Sequence, residues 1–310
     1  MQQNQNGIER FVRELKDAGE LLPSVKKELE ARGDEPELSI DSLPELNTKL
    51  WGLRRGLTVI GGRTSMGKSA LALQIAYDLA DQNKETLFLS LEMTTESLIE
   101  RLFCNRQRID NYALLTGKLK TDTYIQEQWG NFIKLMDIPL KLSCGLGKSF
   151  EDINTLIELL DPIPKVIIVD YIQAIKKGFN ERVDLDNYIV QFREICLKHN
   201  IAGILLSQNS RKVFDDESKE PSLSNLKSTG GLEESADTVM LLFWPHFYNE
   251  KLDRNLYKII IAKQRNGRTG EHLVNFIPEH YLFTEMTPEQ RAKLYQGEEK
   301  VKEVFNASET

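Results

Sequence analysis

The 310 residues suffice for one large α/β domain with a small appendage, and 40% apolar against 28% charged residues is a balance that can bury a full core. The net charge of -7 argues against a protein that coats nucleic acid with a broad basic face, and leaves room for a small, locally cationic surface that threads a strand. No apolar run is long enough to span a bilayer, the polar start MQQNQNG does not read as a signal peptide, and three scattered cysteines with four histidines form neither a disulfide framework nor a zinc site, which together point to a reducing, cytoplasmic setting.

In chain order, residues 8–31 read as one or two amphipathic helices broken near Gly19–Pro23. Ile8, Phe11, Val12 and Leu15 share one face, which packs either on the main domain or on a neighbouring subunit. The polar stretch RGDEPELSIDSLPE (32–45) reads as a linker, so 1–45 is a helical extension and 46–286 the main domain. From Leu57 onward short apolar runs alternate with helical stretches, the pattern of a mostly parallel central β-sheet flanked by helices in an α/β fold. The strands are predicted at 57–61, 86–92, 165–170, 202–208, 238–243 and 257–263, with 273–277 and 281–285 as an antiparallel hairpin at the edge. The tail 287–310 is charged and reads as a surface helix that frays.

The run GGRTSMGKS matches G-x-x-x-x-G-K-[ST] from Gly62 to Ser69, directly after one predicted strand and before the apolar helix ALALQIAYDLA. Gly62, Arg63, Thr64, Ser65, Met66, Gly67, Lys68 and Ser69 then form a loop whose backbone N–H groups turn inward onto phosphate oxygens. In this reading Lys68 reaches the β- and γ-phosphates of ATP, and the Ser69 hydroxyl is a ligand of Mg2+.

Hydrolysis needs further groups. Asp170 ends the buried run KVIIVD, where a carboxylate is costly unless it faces a cation such as magnesium. Glu92, after SL in SLEM, is placed to polarise an attacking water, or else only to complement a helix N-terminus. Gln208 ends a third strand with an uncharged amide, suited to sensing a γ-phosphate or to bonding a neighbouring loop. All of these lie at carboxyl ends of strands, where open α/β sheets place their ligands.

Together GGRTSMGKS (61–69), SLEMTTESLIERL (90–102), VDYIQ (169–173) with SQNSR (207–211), and AKQRNGRTG (262–270) resemble the DnaB-type hexameric replicative helicases, ring ATPases on a RecA-like P-loop fold. RIDNYALLTGKL (108–119) is similar to a stretch of the same family. The resemblance covers roughly 40–285 and implies a homo-hexamer with ATP between subunits, Glu92 activating water, Asp170 serving magnesium, and Lys263 and Arg265 reaching a neighbour's γ-phosphate. It also implies single-stranded DNA held by pore loops that fall near 176–186 and 209–230, with translocation 5′ to 3′ and a helicase loader and primase as partners.

Within the second loop NLKSTGG stands where the family has Asp-Leu-Arg-Glu-Ser-Gly, so Lys227 replaces an arginine fork with a point charge while Gly230 is kept. Arg211, Lys212 and Lys227, with backbone N–H groups about Gly230, are the expected phosphate contacts. The stretch before the main domain is shorter than the helical N-terminal domain with which the family recruits primase, and helix 8–18 stands in for its linker helix. Two other readings stay open: a recombinase of the RecA kind, and a nucleotide-regulated DNA-binding assembly or loading factor.

Overall fold

The computed structural model describes residues 16–30, 33–145, 148–170, 181–208, 220–223 and 234–294. They fall into two compact units that part between Glu37 and Leu38. In the first, helix α1 (Ala18–Glu30) runs through Gly19–Pro23 without the predicted break. Pro23 is the helix's sixth residue, so its missing N–H removes a single early hydrogen bond, and the Ser24 hydroxyl donates to the Leu21 carbonyl at 2.8 Å.

The second unit is built on a nine-stranded sheet: β1 (Gly56–Gly62), β2 (Thr86–Ser90), β3 (Leu140–Cys144), β4 (Val166–Asp170), β5 (Ala202–Gln208), β6 (Thr238–Phe243), β7 (Leu256–Gln264), β8 (Gly270–Ile277) and β9 (Leu282–Glu285). Their order across the sheet is β3-β2-β4-β5-β1-β6-β7-β8-β9. The pairs from β3 to β6 are parallel and those from β6 to β9 antiparallel. The antiparallel edge is thus longer than the predicted hairpin, because β7 also reverses direction. It is joined to β6 through a bulge at Val239/Met240.

The central strands are buried on both faces, so alternate residues feed two cores. Ile60, Phe88, Ile168, Ile204 and Met240 point into one core, covered by α2 (Pro44–Leu50), α3 (Lys68–Asp81), α4 (Thr95–Gln107), α5 (Asn111–Leu115) and α6 (Thr123–Leu135). Val59, Leu89, Val169, Leu205 and Val239 point into the other, covered by α7 (Phe150–Leu159) and α8 (Glu181–His199). On α3, Leu71, Leu73, Ile75 and Leu79 are all buried, each worth roughly 1.5–3 kcal/mol, which anchors the helix that carries Lys68 in the core. The short α9 (Pro245–Tyr248) follows β6.

The stretch predicted as a linker belongs in large part to this unit. Leu38, Ile40, Leu43, Leu46 and Leu50 are buried in the first core. Asp78 of α3 accepts the Ser42 N–H at 3.0 Å and its hydroxyl at 2.5 Å, and burial lifts the Asp78 carboxyl to about 6. The Glu285 carboxylate accepts the Glu45 and Leu46 N–H groups at 2.9 and 3.2 Å, satisfying the start of α2, whose own N-cap, Leu43, has no side-chain acceptor. Residues 288–294 are helical, and Arg291 pairs with Glu45 at 2.6 Å.

Candidate functional site

At the carboxyl end of the parallel strands lies a cavity of about 410 Å³ lined by Thr64, Ser65, Gly67, Lys68, Ser69, Glu92, Met93, Arg101, Asp170 and Gln208. Strand β1 delivers the chain into a tight turn, and α3 starts at Lys68 with Gly67 as N-cap. Gly67 has φ +75°, and a Cβ there would sit 3.1 Å from the rings of both Phe276 and Phe283. Those rings stack at 4.4 Å, so the glycine meets a conformational and a packing demand at once. Because Gly67 offers no side-chain acceptor, the first N–H groups of α3 face the cavity uncapped, as an anion requires.

Lys68 is 7% exposed, and its ammonium donates to the carbonyls of Gly62 at 3.0 Å and Arg63 at 2.8 Å. Burial lowers it to about 8, against the opposing pull of Asp170 and Glu92. Asp170 ends β4 only 1% exposed, and burial raises its carboxyl above the ordinary range while the Ser69 hydrogen bond and Lys68 draw it back. Its Oδ2 is buried without a hydrogen-bond partner. An orphaned carboxylate oxygen beside a serine hydroxyl is an all-oxygen set that fits a hard divalent cation.

Strand β2 stops at Ser90, two residues short of its predicted end, and Glu92 stands exposed in the bend that follows, on the cavity wall. Gln208, the last residue of β5 and the register partner of Gly62, completes the wall. Three of the predicted loop residues do not line it. Gly62 lies beneath the Lys68 side chain, and Met66 is 1% exposed with its carbonyl accepting the buried Tyr257 hydroxyl. Arg63 turns away, its guanidinium 5.1 Å from the centre of the Phe247 ring and 5.9 Å from that of Tyr248.

Two residues escaped sequence reasoning. Arg101, in the second turn of α4, adds a cation to the cavity and lies 4.9 Å from the Tyr281 ring centre. Its signal was its place within SLEMTTESLIERL, on the helix that Glu92 precedes. Tyr257, which pins the loop from β7, left no local signal, because 191 residues separate it from Met66.

Lys263 and Arg265 are not in this cavity. Since β7 is antiparallel to β6, its end lies toward the amino ends of the parallel strands: Lys263 pairs with Val239, itself level with Val59, and the Arg265 N–H bonds the Asp237 carbonyl at 2.9 Å. Asp237 in turn donates to Leu57, so Arg265 lies about five strand steps of ~3.3 Å, roughly 17 Å along the sheet, from Gly62. Arg211, Lys212, Lys227 and Gly230 lie outside the described residues; of the other predicted loop, 181–186 are the first residues of α8 and 176–180 lie outside as well.

A phosphate-binding loop feeding a buried helix, opposite a strand-end carboxylate on a mostly parallel sheet, defines a nucleotide-binding P-loop protein of the RecA-like class. Residues 41–285 match the family model of the DnaB-like helicase C terminal domain, and the chain belongs to that family. It is 30% identical over 260 residues to the replicative DNA helicase DnaB of Geobacillus stearothermophilus, covering 78% of this chain and 55% of that protein. A probable plasmid replicative DNA helicase of Chlamydia psittaci is 31% identical over 239 residues, covering 72% of this chain and 50% of that one. The chain spans about half the length of the curated relatives it matches. Among solved structures, one described as an ATPase domain superposes with a TM-score of 0.81 at 24% identity, covering 88% of this chain and all of that one. A DnaB-like replicative helicase, described with its interactions with primase, gives the same score and identity over 91% of this chain and 71% of that chain. Both share the fold. Among the described residues no helix is long and apolar enough to cross a membrane.

Proposed function

We propose that this chain is the ATP-hydrolysing motor of a replicative DNA helicase, a cytoplasmic homo-hexameric ring that translocates 5′ to 3′ on single-stranded DNA and unwinds duplex at the fork. The observation that carries the reading is the division of the catalytic set. Lys68, Ser69, Glu92, Asp170 and Gln208 share one cavity, while Lys263 and Arg265 lie outside it, Lys263 level with the middle of β1 and Arg265 nearer the opposite end of the sheet. A subunit so built completes its site only when a neighbour presents its Arg265 side, a head-to-tail contact that this reading closes into a ring.

In this account the loop N–H groups and Lys68 hold the β- and γ-phosphates, and Ser69 and Asp170 hold magnesium, which neutralises phosphate charge when bound. Glu92 takes a proton from the attacking water, Gln208 reads the γ-phosphate through its amide, and Lys263 and Arg265 of the next subunit stabilise charge in the transition state. Arg211, Lys212, Lys227 and the backbone at Gly230 contact DNA phosphates without reading bases. Primase is a candidate partner because one matching structure is described with it, and a helicase loader is another. The family assignment does not favour the recombinase or loading-factor readings.

The test is ATP hydrolysis by the purified chain with and without single-stranded DNA across a salt series. Strong stimulation that fades with salt, together with unwinding of a forked duplex, supports the motor. Hydrolysis indifferent to DNA refutes it.

A further inference from the structure

We infer that Asp237 is the positioning residue of Arg265: it fixes the direction in which the guanidinium leaves the end of β7, and so its approach to a nucleotide held by the neighbouring subunit. The inference rests on the role in trans proposed above for Arg265.

Asp237 stands immediately before β6 with its side chain 20% exposed, and three groups converge on its carboxylate. Its Oδ1 lies 3.1 Å from Nη1 of Arg265 and 3.2 Å from Nη2 of Arg193 on α8, while Oδ2 accepts the Leu57 N–H at 2.9 Å. The carboxylate is therefore fixed from two sides, by the backbone of β1 and by a helix packed beneath the sheet. The backbone repeats the connection: Asp237 donates to the Leu57 carbonyl at 2.8 Å and accepts the Arg265 N–H at 2.9 Å. Gly56 lies where a Cβ would overlap Asp237 Oδ2, and has φ +107°, so β1 opens with a residue type that lets the carboxylate come this close.

On Arg265 the consequence is directional. Nη1 is held by Asp237 and Nη2 donates to the Glu234 carbonyl at 2.8 Å, which fixes the plane of a group whose side chain is 41% exposed. The Arg265 side of the pair is too exposed for the contact to add much stability, so what the carboxylate gives Arg265 is orientation. A donor that acts on charge developing in a transition state is effective in proportion to its preorganisation, and a misplacement of about 1 Å costs on the order of 100-fold in rate.

The experiment uses the full chain with single-stranded DNA and ATP. Asp237→Asn keeps the size and the acceptor for Leu57 but removes the charge that Arg265 and Arg193 share. The expected result is a kcat lower by about 10- to 100-fold, with nucleotide Kd within about twofold of the parent. Asp237→Glu moves the charge by one methylene and is expected to lose kcat by a smaller factor, about three- to tenfold, which reports the same quantity should the Asn variant fail to fold. In an Arg265→Ala background Asp237→Asn should lower kcat no further, since nothing is left to aim. Parent-like or raised hydrolysis in Asp237→Asn overturns the inference, and so does an equal loss in both backgrounds, which would mark a merely structural role. If Arg265→Ala itself leaves hydrolysis intact, the role in trans falls and this inference with it. If Arg265→Ala is impaired and Asp237→Asn is not, only the positioning falls.

Discussion

Replacing Lys68 with methionine exchanges a buried ammonium for an apolar end of similar reach, and the structure sets the size of the effect. Burial lowers the lysine from the ordinary 10.5 to about 8. At about 1.4 kcal/mol for each pH unit between the two values, the charged form costs the free fold on the order of 3 kcal/mol. The unfolded chain binds this proton more tightly than the folded one, so the cost is full below about pH 8 and disappears as pH rises toward 10.5. Methionine removes that cost at every pH and leaves the Gly62 and Arg63 carbonyls without their donor, a penalty of about 1–3 kcal/mol that does not vary with pH. Urea unfolding of both proteins without nucleotide, in steps from pH 7 to pH 10.5, gives the difference in stability directly. The parent should gain about 3 kcal/mol on the variant across that range, while the variant hydrolyses no ATP at any pH. Parallel stability curves would refute the idea that Lys68 is held in the cavity at the expense of the fold.

Tyr257→Phe removes the hydroxyl that the Met66 carbonyl accepts and strands a buried acceptor, so it should cost about 1–3 kcal/mol in thermal or urea unfolding and weaken nucleotide binding; unchanged affinity would show that β7 does not hold the loop. Gly67→Ala combines a left-handed φ of +75° with a Cβ 3.1 Å from two phenyl rings, and isothermal titration should find nucleotide binding lost together with at least about 1–2 kcal/mol of stability. For Asp170→Asn the two readouts should part. Burial makes the ionised carboxylate costly, with the cost appearing as pH rises, so at pH 7 the variant should unfold no more readily than the parent while its magnesium-dependent hydrolysis is lost. A variant that unfolds more readily would mean the carboxylate is structural.

What was legible in the sequence is what is local in it. The phosphate loop spans consecutive residues between a strand and a helix, and the strand-end positions of Asp170 and Gln208 follow from apolar runs that stop at a polar side chain. Strand β3 was missed because LKLSC, next to β2 at the end of the sheet, is largely half-buried, so its apolar alternation is too weak to register. The part of the predicted linker from Leu38 to Glu45 belongs to the main unit because the residues that bury its apolar side chains and bond its backbone, Asp78 and Glu285 among them, lie far along the chain. The predicted break at Pro23 gave too much weight to one residue, because a proline in the second turn removes a single backbone hydrogen bond and the helix runs on to Glu30. That Arg265 lies at the far end of the sheet follows only from the antiparallel sense of β7, which no periodicity encodes.

A nucleotide site completed by two subunits is tested most directly in mixed rings. Chains carrying Lys68→Ala and chains carrying Arg265→Ala are each expected to be nearly inactive alone. Co-expressed in equal amounts, they should regain DNA-stimulated ATP hydrolysis at up to about a quarter of the interfaces, those where an intact Lys68 faces a neighbour's intact Arg265. A mixture no more active than either variant alone would contradict a site shared between subunits.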